Sequence, residues 1–232
     1  MAGWAPAMID NLRTGAYEVL ALGFRRPAPA QVEALAGEGT RQLLSDVADL
    51  LIVPQSIQWQ QLGQFCEDVE TRGAEAVAAE LLVEYNRLFL GPGALLCPPY
   101  GSIYLDGTVM GPSTLDVVRR YRGEGLKADA SWKEPPDHIA LEIAFMAALA
   151  ARYHHAALSS AQPEALTLLR AQHDFLSRHL GHWGPQFAEK LAENASLPLY
   201  RFLASFLSSW LPTDAELVRA AIGAPEVSEP CA

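Results

Sequence analysis

Apolar residues recur at three- and four-residue spacing along nearly the whole chain, and that period restricts it to helices packed on helices. Ile9, Leu12, Ala16, Val19 and Leu20 form one stripe, which ends near Gly23 and the Pro27/Pro29 pair. Leu43, Leu44, Val47 and Leu51 make a second between Gly37 and Pro54, and Trp59, Leu62, Phe65 and Val69 a third. From Ala74 to Leu90 the stripe is Val77, Leu81, Tyr85 and Leu88, widened by Ala78, Leu82 and Phe89. The segment Ile139–Tyr153 is apolar nearly all round, the mark of an enclosed central helix. Leu169, Leu176 and Leu180, then Leu199, Leu203, Phe206 and Trp210, complete the series. Pro163, Pro198 and Pro212 read as helix starts, and Thr213 with Glu216 has capping-box spacing. No alternating run is long enough to argue for a sheet. The expected fold is all-α, a single globular domain of about ten helices. It covers residues 1–222, with a loose tail over 223–232.

One stretch breaks the period. Residues 91–112 hold five glycines and four prolines and cannot be helical throughout. A loop this long inside a domain is often functional. Its middle, Pro98-Pro99-Tyr100-Gly101-Ser102-Ile103-Tyr104, is aromatic and proline-rich where a plain linker would be polar. It serves either as a rigid cover with Tyr100 and Tyr104 packed inward or as a binding loop.

The chain carries 17 Lys and Arg against 27 Asp and Glu, a formal charge of −10. Such acidity argues against a nucleic-acid binder and suits a positively charged partner. Half the residues are apolar and 19% are charged, as expected of a soluble globular protein. Cys66, Cys97 and Cys231 form neither a disulfide framework nor a zinc cluster, which fits a reducing compartment. The N-terminus lacks the pattern of a secretory signal, and no apolar stretch is long enough to span a bilayer. A cytoplasmic chain is expected.

Chemistry-bearing residues are few. Pro135-Pro136 should place Asp137 and His138 at the mouth of the central helix, where a carboxylate is stabilised by exposed amides. Glu142 is the one charge between Ile139 and Ala151, with His138 a helical turn away on the same face. The two could be a structural pair, an acid–base pair or half a metal site. Glu-x-x-His, His-Glu-x-x-His and Cys-x-x-Cys are all absent, so no metal is expected. His173, His179 and His182 have no acidic residue completing a set with them. Nucleophile elbows and phosphate-binding loops are missing too, and no cofactor is expected. A binding protein for an apolar peptide with a basic end is the best reading; a small helical enzyme using His138 and Glu142 is the alternative.

Three ordered motifs resemble the TorD/DmsD family of molybdoenzyme maturation chaperones, and its DmsD branch most closely. They are Tyr85-Asn-Arg-Leu-Phe89-Leu-Gly-Pro92, Pro98-Pro-Tyr-Gly-Ser-Ile-Tyr-Leu-Asp106 and Glu134-Pro-Pro-Asp-His138. The later His179-x-x-His-Trp183-x-x-x-Phe187 extends the likeness to about Trp210, while the first 70 residues match only in helical character. The resemblance implies an all-helical fold without catalytic turnover. It further implies binding of the twin-arginine leader of a molybdenum-containing reductase, of the dimethyl sulfoxide reductase type, until molybdopterin is installed. The family's leader-binding positions fall on Tyr85, Leu88, Phe89, Tyr100, Tyr104, Gly111, Asp137 and His138, with Pro99, Ser102 and Glu134 beside them. Tyr85, Leu88, Phe89, Tyr100 and Tyr104 would line an apolar groove, and Asp137 with Glu134 would face the arginines. His138 would orient Asp137 or bond to the leader's backbone. Implied partners also include the mature reductase, molybdenum-cofactor synthesis proteins and the Tat translocase, with the chaperone a monomer or homodimer. Two departures stand out: Tyr100 and Tyr104 replace the branch's Trp residues, and the link from Tyr104 to Gly111 is shorter. Both suit a shallower groove and a different client.

Overall fold

A computed structural model describes residues 5–51, 57–91, 95–159 and 161–223. Among them run eleven α-helices: α1 Pro6–Gly23, α2 Pro29–Ala36, α3 Glu38–Leu51, α4 Ile57–Arg72, α5 Ala74–Phe89, α6 Gly101–Asp106, α7 Pro112–Gly123, α8 Ile139–Leu158, α9 Gln162–Phe175, α10 Gly181–Asn194 and α11 Pro198–Gly223. A five-residue π turn, Leu176–Leu180, joins α9 to α10. The only β-bridge in the described residues is antiparallel and joins Tyr100 to His138. The tail expected at 223–232 begins at the last residue of α11 and otherwise lies outside the described residues.

The all-α expectation holds, and α8 is the enclosed helix its composition demands, packing against α1 and α9. Ile139, Ile143, Met146, Leu149 and Ala150 have no more than a trace of exposure. Prolines open α1, α2, α7, α9 and α11, where a missing N–H costs nothing because those amides have no helical acceptor. One buried apolar cluster runs from Leu12 in α1 to Val218 in α11. Its aromatic centre stacks Phe89 on Phe187 at 6.0 Å and sets Phe24 edge-on to Phe187 at 5.4 Å.

Three expectations are corrected. Pro29 starts a helix, α2, that the Pro27/Pro29 pair had marked only as a stop. Residues 91–112 are not one loop, because Gly101–Asp106 forms α6. Pro212 lies inside α11 and Pro185 inside α10. Thr213 therefore caps nothing, and its hydroxyl donates back to the Ser209 carbonyl at 3.0 Å. Each internal proline costs about 3 kcal/mol of helix stability, so burial of Trp183, Phe187, Phe206 and Trp210 on these two helices outweighs local preference.

Candidate functional site

The segment from Cys97 to Asp106 crosses the start of α8 as a strap. Its first tie is the Cys97 amide, donating to the Leu88 carbonyl of α5 at 3.0 Å. Two backbone bonds then pair it with the mouth of α8: Ile139 N–H to Pro99 O at 2.8 Å and Gly101 N–H to Asp137 O at 2.9 Å. The strap continues as α6, whose first residues lack a capping side chain of their own. Asp137 supplies one from across the fold, its Oδ2 accepting from the Ser102 amide at 2.8 Å. Asp106 does the same for α7, accepting from the Ser113 amide at 2.9 Å. Two carboxylates thus satisfy the orphan amides of successive helices. Gly111 makes the second contact possible, since a Cβ there would stand 2.4 Å from Asp106 Oδ2.

Beneath the strap lies a polar chamber. Glu142, fully buried on α8, accepts from the Trp183 indole at 3.0 Å and pairs with His179 Nδ1 at 3.0 Å. The His138–Glu142 pairing considered from the sequence is therefore not formed; α10 and the π turn supply Glu142's partners. His138 instead caps α8, its Nδ1 accepting from the Ala140 amide at 3.1 Å. That bond puts the neutral ring's proton on Nε2. Burial drives His138 down to about 3, so the ring is neutral at ordinary pH. Burial also raises the Glu142 carboxyl, against the bonds from His179 and Trp183. For His179, burial disfavours the proton but the Glu142 carboxylate outweighs it, and its pKa is raised.

The chamber leaves polar atoms without protein partners: Asp137 Oδ1, Glu142 Oε1, His138 Nε2 and the Tyr104 hydroxyl. Gly101 is the lid over Glu142, where an added Cβ would sit 3.0 Å from Oε1 and 2.9 Å from the Trp183 indole nitrogen. Tyr104 stacks on Trp183 at 5.4 Å. Tyr100 donates to Glu134 Oε2 at 2.9 Å and meets the His138 ring edge-on at 5.6 Å.

Pro99, Tyr100, Ser102, Tyr104, Gly111, Glu134, Asp137 and His138 thus come together around the strap. Tyr85, Leu88 and Phe89 do not line an open groove: they are 2%, 0% and 1% exposed, part of the core behind it. Asp137 is likewise sealed from solvent. Of the eight exposed large hydrophobic residues among those described, five fall between 90 and 115: Leu90, Leu96, Val109, Met110 and Leu115. Met110 also holds a left-handed backbone, φ 57°, and its amide donates to Ser102 Oγ at 3.0 Å.

Sequence reasoning missed the partners His179 and Trp183, the cap from Asp106, and a buried cluster joining α1 to α11. There Arg13 pairs with Asp214 at 2.5 Å and donates to Gln172 at 2.6 Å, while Tyr17 donates to Asp214 at 2.6 Å. A charge within the Ile9–Leu12–Ala16 stripe was the available signal for Arg13. Among the described residues, no three His, Cys, Asp or Glu side chains are grouped to hold a metal. In the same residues, no helix is long and apolar enough to cross a membrane.

Comparison with known proteins relates this chain to a family by sequence and by fold. The chain is similar to the chaperone protein TorD of Vibrio cholerae serotype O1, 33% identical over 58% of this chain and 60% of that protein. It is 30% identical to the Tat proofreading chaperone DmsD of Salmonella typhi, over 54% of this chain and 58% of that one. The aligned part thus spans about 60% of the length of these curated relatives. A TorD from Shewanella pealeana aligns over 90% of both chains at 25% identity. The fold matches a solved Archaeoglobus fulgidus protein assigned to redox enzyme maturation, with a TM-score of 0.54 at 21% identity, covering 91% of this chain and 98% of that one. The TorD/DmsD resemblance drawn from the motifs therefore stands. The sequence model of the nitrate reductase delta subunit family matches residues 54–189, a span that takes in the strap, its floor and the partners of Glu142, and the chain belongs to that family.

Proposed function

We propose that this protein is a cytoplasmic maturation chaperone, without catalytic turnover, for the catalytic subunit of a molybdenum-containing reductase of the dimethyl sulfoxide reductase type. It binds the subunit's twin-arginine leader and holds back export until folding and molybdopterin insertion are complete. The observation carrying this reading is the pair of orphaned carboxylate oxygens, Asp137 Oδ1 and Glu142 Oε1, sealed under a strap with apolar residues exposed around it. A guanidinium is planar, always charged and rich in donors, and so complements two such acceptors. An apolar stretch following the arginines finds Val109, Met110 and Leu115 already exposed. The names of the relatives, a TorD chaperone and a Tat proofreading chaperone, point the same way.

Binding on this reading opens the strap. Two backbone bonds and one Asp137 cap hold it over the mouth of α8. The leader's main chain would take the place of Tyr100 opposite His138, an exchange of one extended segment for another. Lifting the strap would uncover Tyr85, Leu88 and Phe89 as the groove floor. The strained Met110 favours release, since a non-glycine residue in the left-handed region costs about 1–2 kcal/mol.

The test is calorimetric titration with a synthetic leader from such a catalytic subunit and with its Lys-Lys counterpart. The native protein should bind the twin-arginine peptide saturably and the Lys-Lys peptide far more weakly. Asp137→Asn keeps an acceptor for the Ser102 amide but removes the charge, and should weaken binding about ten-fold or more. Equal affinity for both peptides, or an unaffected Asp137→Asn protein, would sink the assignment of the arginines to this chamber.

A further inference from the structure

Three helix irregularities converge on one cleft that has no lining residue in common with the strap. The π turn Leu176–Leu180, Pro185 of α10 and Pro212 of α11 all border a cavity of about 270 Å³. Proline has no N–H, so Pro185 cannot donate to the Gly181 carbonyl four residues back, nor Pro212 to that of Ser208. Both carbonyl-bearing residues line the cleft, and no described side chain donates to either carbonyl. Gly181 is required by the π turn, because a Cβ there would lie 2.2 Å from the Leu176 carbonyl oxygen. π turns of this kind are frequent at functional sites.

The walls define what fits. Leu176, Leu211 and Ala215 are apolar, and the cleft's titratable residues are His173 and Arg219, both basic in a chain of formal charge −10. Asp174, next to His173, is committed to Arg120 and to Arg178 at 2.6 Å. Arg219 makes no ion pair among the described residues. Apolar walls and a cationic rim together match a peptide segment whose apolar side chain fills the cavity and whose carboxylate meets Arg219.

We propose that this cleft is a second docking site, for an extended acidic segment of a partner protein, in which an apolar residue precedes Asp or Glu. Charge chemistry separates it from the strap: the strap region offers carboxylates to a basic ligand, the cleft a cation to an acidic one.

Fluorescence anisotropy with a labelled Ala-Leu-Ala-Leu-Asp-Asp peptide, and with its Lys-Lys counterpart, tests this on the full chain. The acidic peptide should bind saturably. Arg219→Glu should weaken it about ten-fold while improving binding of the Lys-Lys peptide. Ser208→Trp, at an exposed position on the cleft wall, should block binding with an unchanged thermal midpoint. Asp137→Asn should leave it intact. Absence of saturable binding, indifference to Arg219→Glu, or loss with Asp137→Asn would overturn the proposal.

Discussion

His138 joins cap and chamber through one ring, its Nδ1 holding the Ala140 amide and its Nε2 facing no protein acceptor. Its burial has a consequence for acid stability. The folded ring stays neutral down to about 3, whereas an unfolded histidine takes a proton near 6.5. Below that pH the unfolded state binds the extra proton, so stability falls as pH drops, by up to about 1.4 kcal/mol per unit from this group. His179 acts in a different window. Its raised pKa gives a contribution complete below 6.5 and lost as pH rises through its folded value. Urea unfolding between pH 7 and pH 5 should therefore show a loss that His138→Asn, which retains a capping acceptor, flattens. An identical slope in that variant would refute the account. That Asp137 and His138 stand at the mouth of α8 was legible from Pro135-Pro136 and the apolar run after it. The carboxylate expected to cap that helix caps α6 instead, and His138 caps α8. The direction of its ring was not legible, because that depends on Trp132 and Tyr100 packing edge-on against it at 5.3 and 5.6 Å.

At the scale of elements, the strap and α6 are held by contacts remote in sequence. α6 has six residues, too few to be stable alone, and depends on Asp137 for its cap. Asp137→Ala should raise hydrogen exchange across residues 99–110 while leaving α8 and α11 protected; Asp137→Asn should stay near native. Loss of the cap should cost about 0.5–2 kcal/mol in local opening. Uniformly faster exchange throughout the chain would mean that Asp137 supports the whole core and not the strap. The glycines and prolines of residues 91–112 announced a break in the helical period but concealed α6. A helix this short has no apolar period to read and forms only once its cap is in place.

Across the whole molecule, the Arg13–Asp214–Gln172–Tyr17 cluster joins α1, α9 and α11. Arg13 is 2% exposed and Asp214 fully buried, so removing one partner strands the other charge in the core. Asp214→Ala should cost about 3–5 kcal/mol, read as a fall in thermal midpoint, and replacing Arg13 with Met in the same chain should recover part of the loss. A change under about 1 kcal/mol would mean that water reaches the pair. A second tie links α5 to the start of α11: Glu84 accepts from Arg87 at 2.7 Å and from the Ser196 amide and hydroxyl at 2.7 Å each. Burial would raise the Glu84 carboxyl, but these bonds overcome it and hold it at about 2.

Helical class, the central place of α8 and the position of its mouth were written in the residue order. Each follows from periodicity, from proline's missing N–H, or from the cost of burying a charge, and these act over a few residues. The partners of buried charges were decided only by tertiary structure. Glu142 could be recognised as needing a partner, yet His138 stood one turn away and His179 thirty-seven residues on, and packing chose the latter. Whether Tyr85, Leu88 and Phe89 face a groove or the core was decided the same way. Their stripe is apolar on either account, and packing against Phe187 and Tyr200 sets Phe89, and with it Tyr85 and Leu88, in the core.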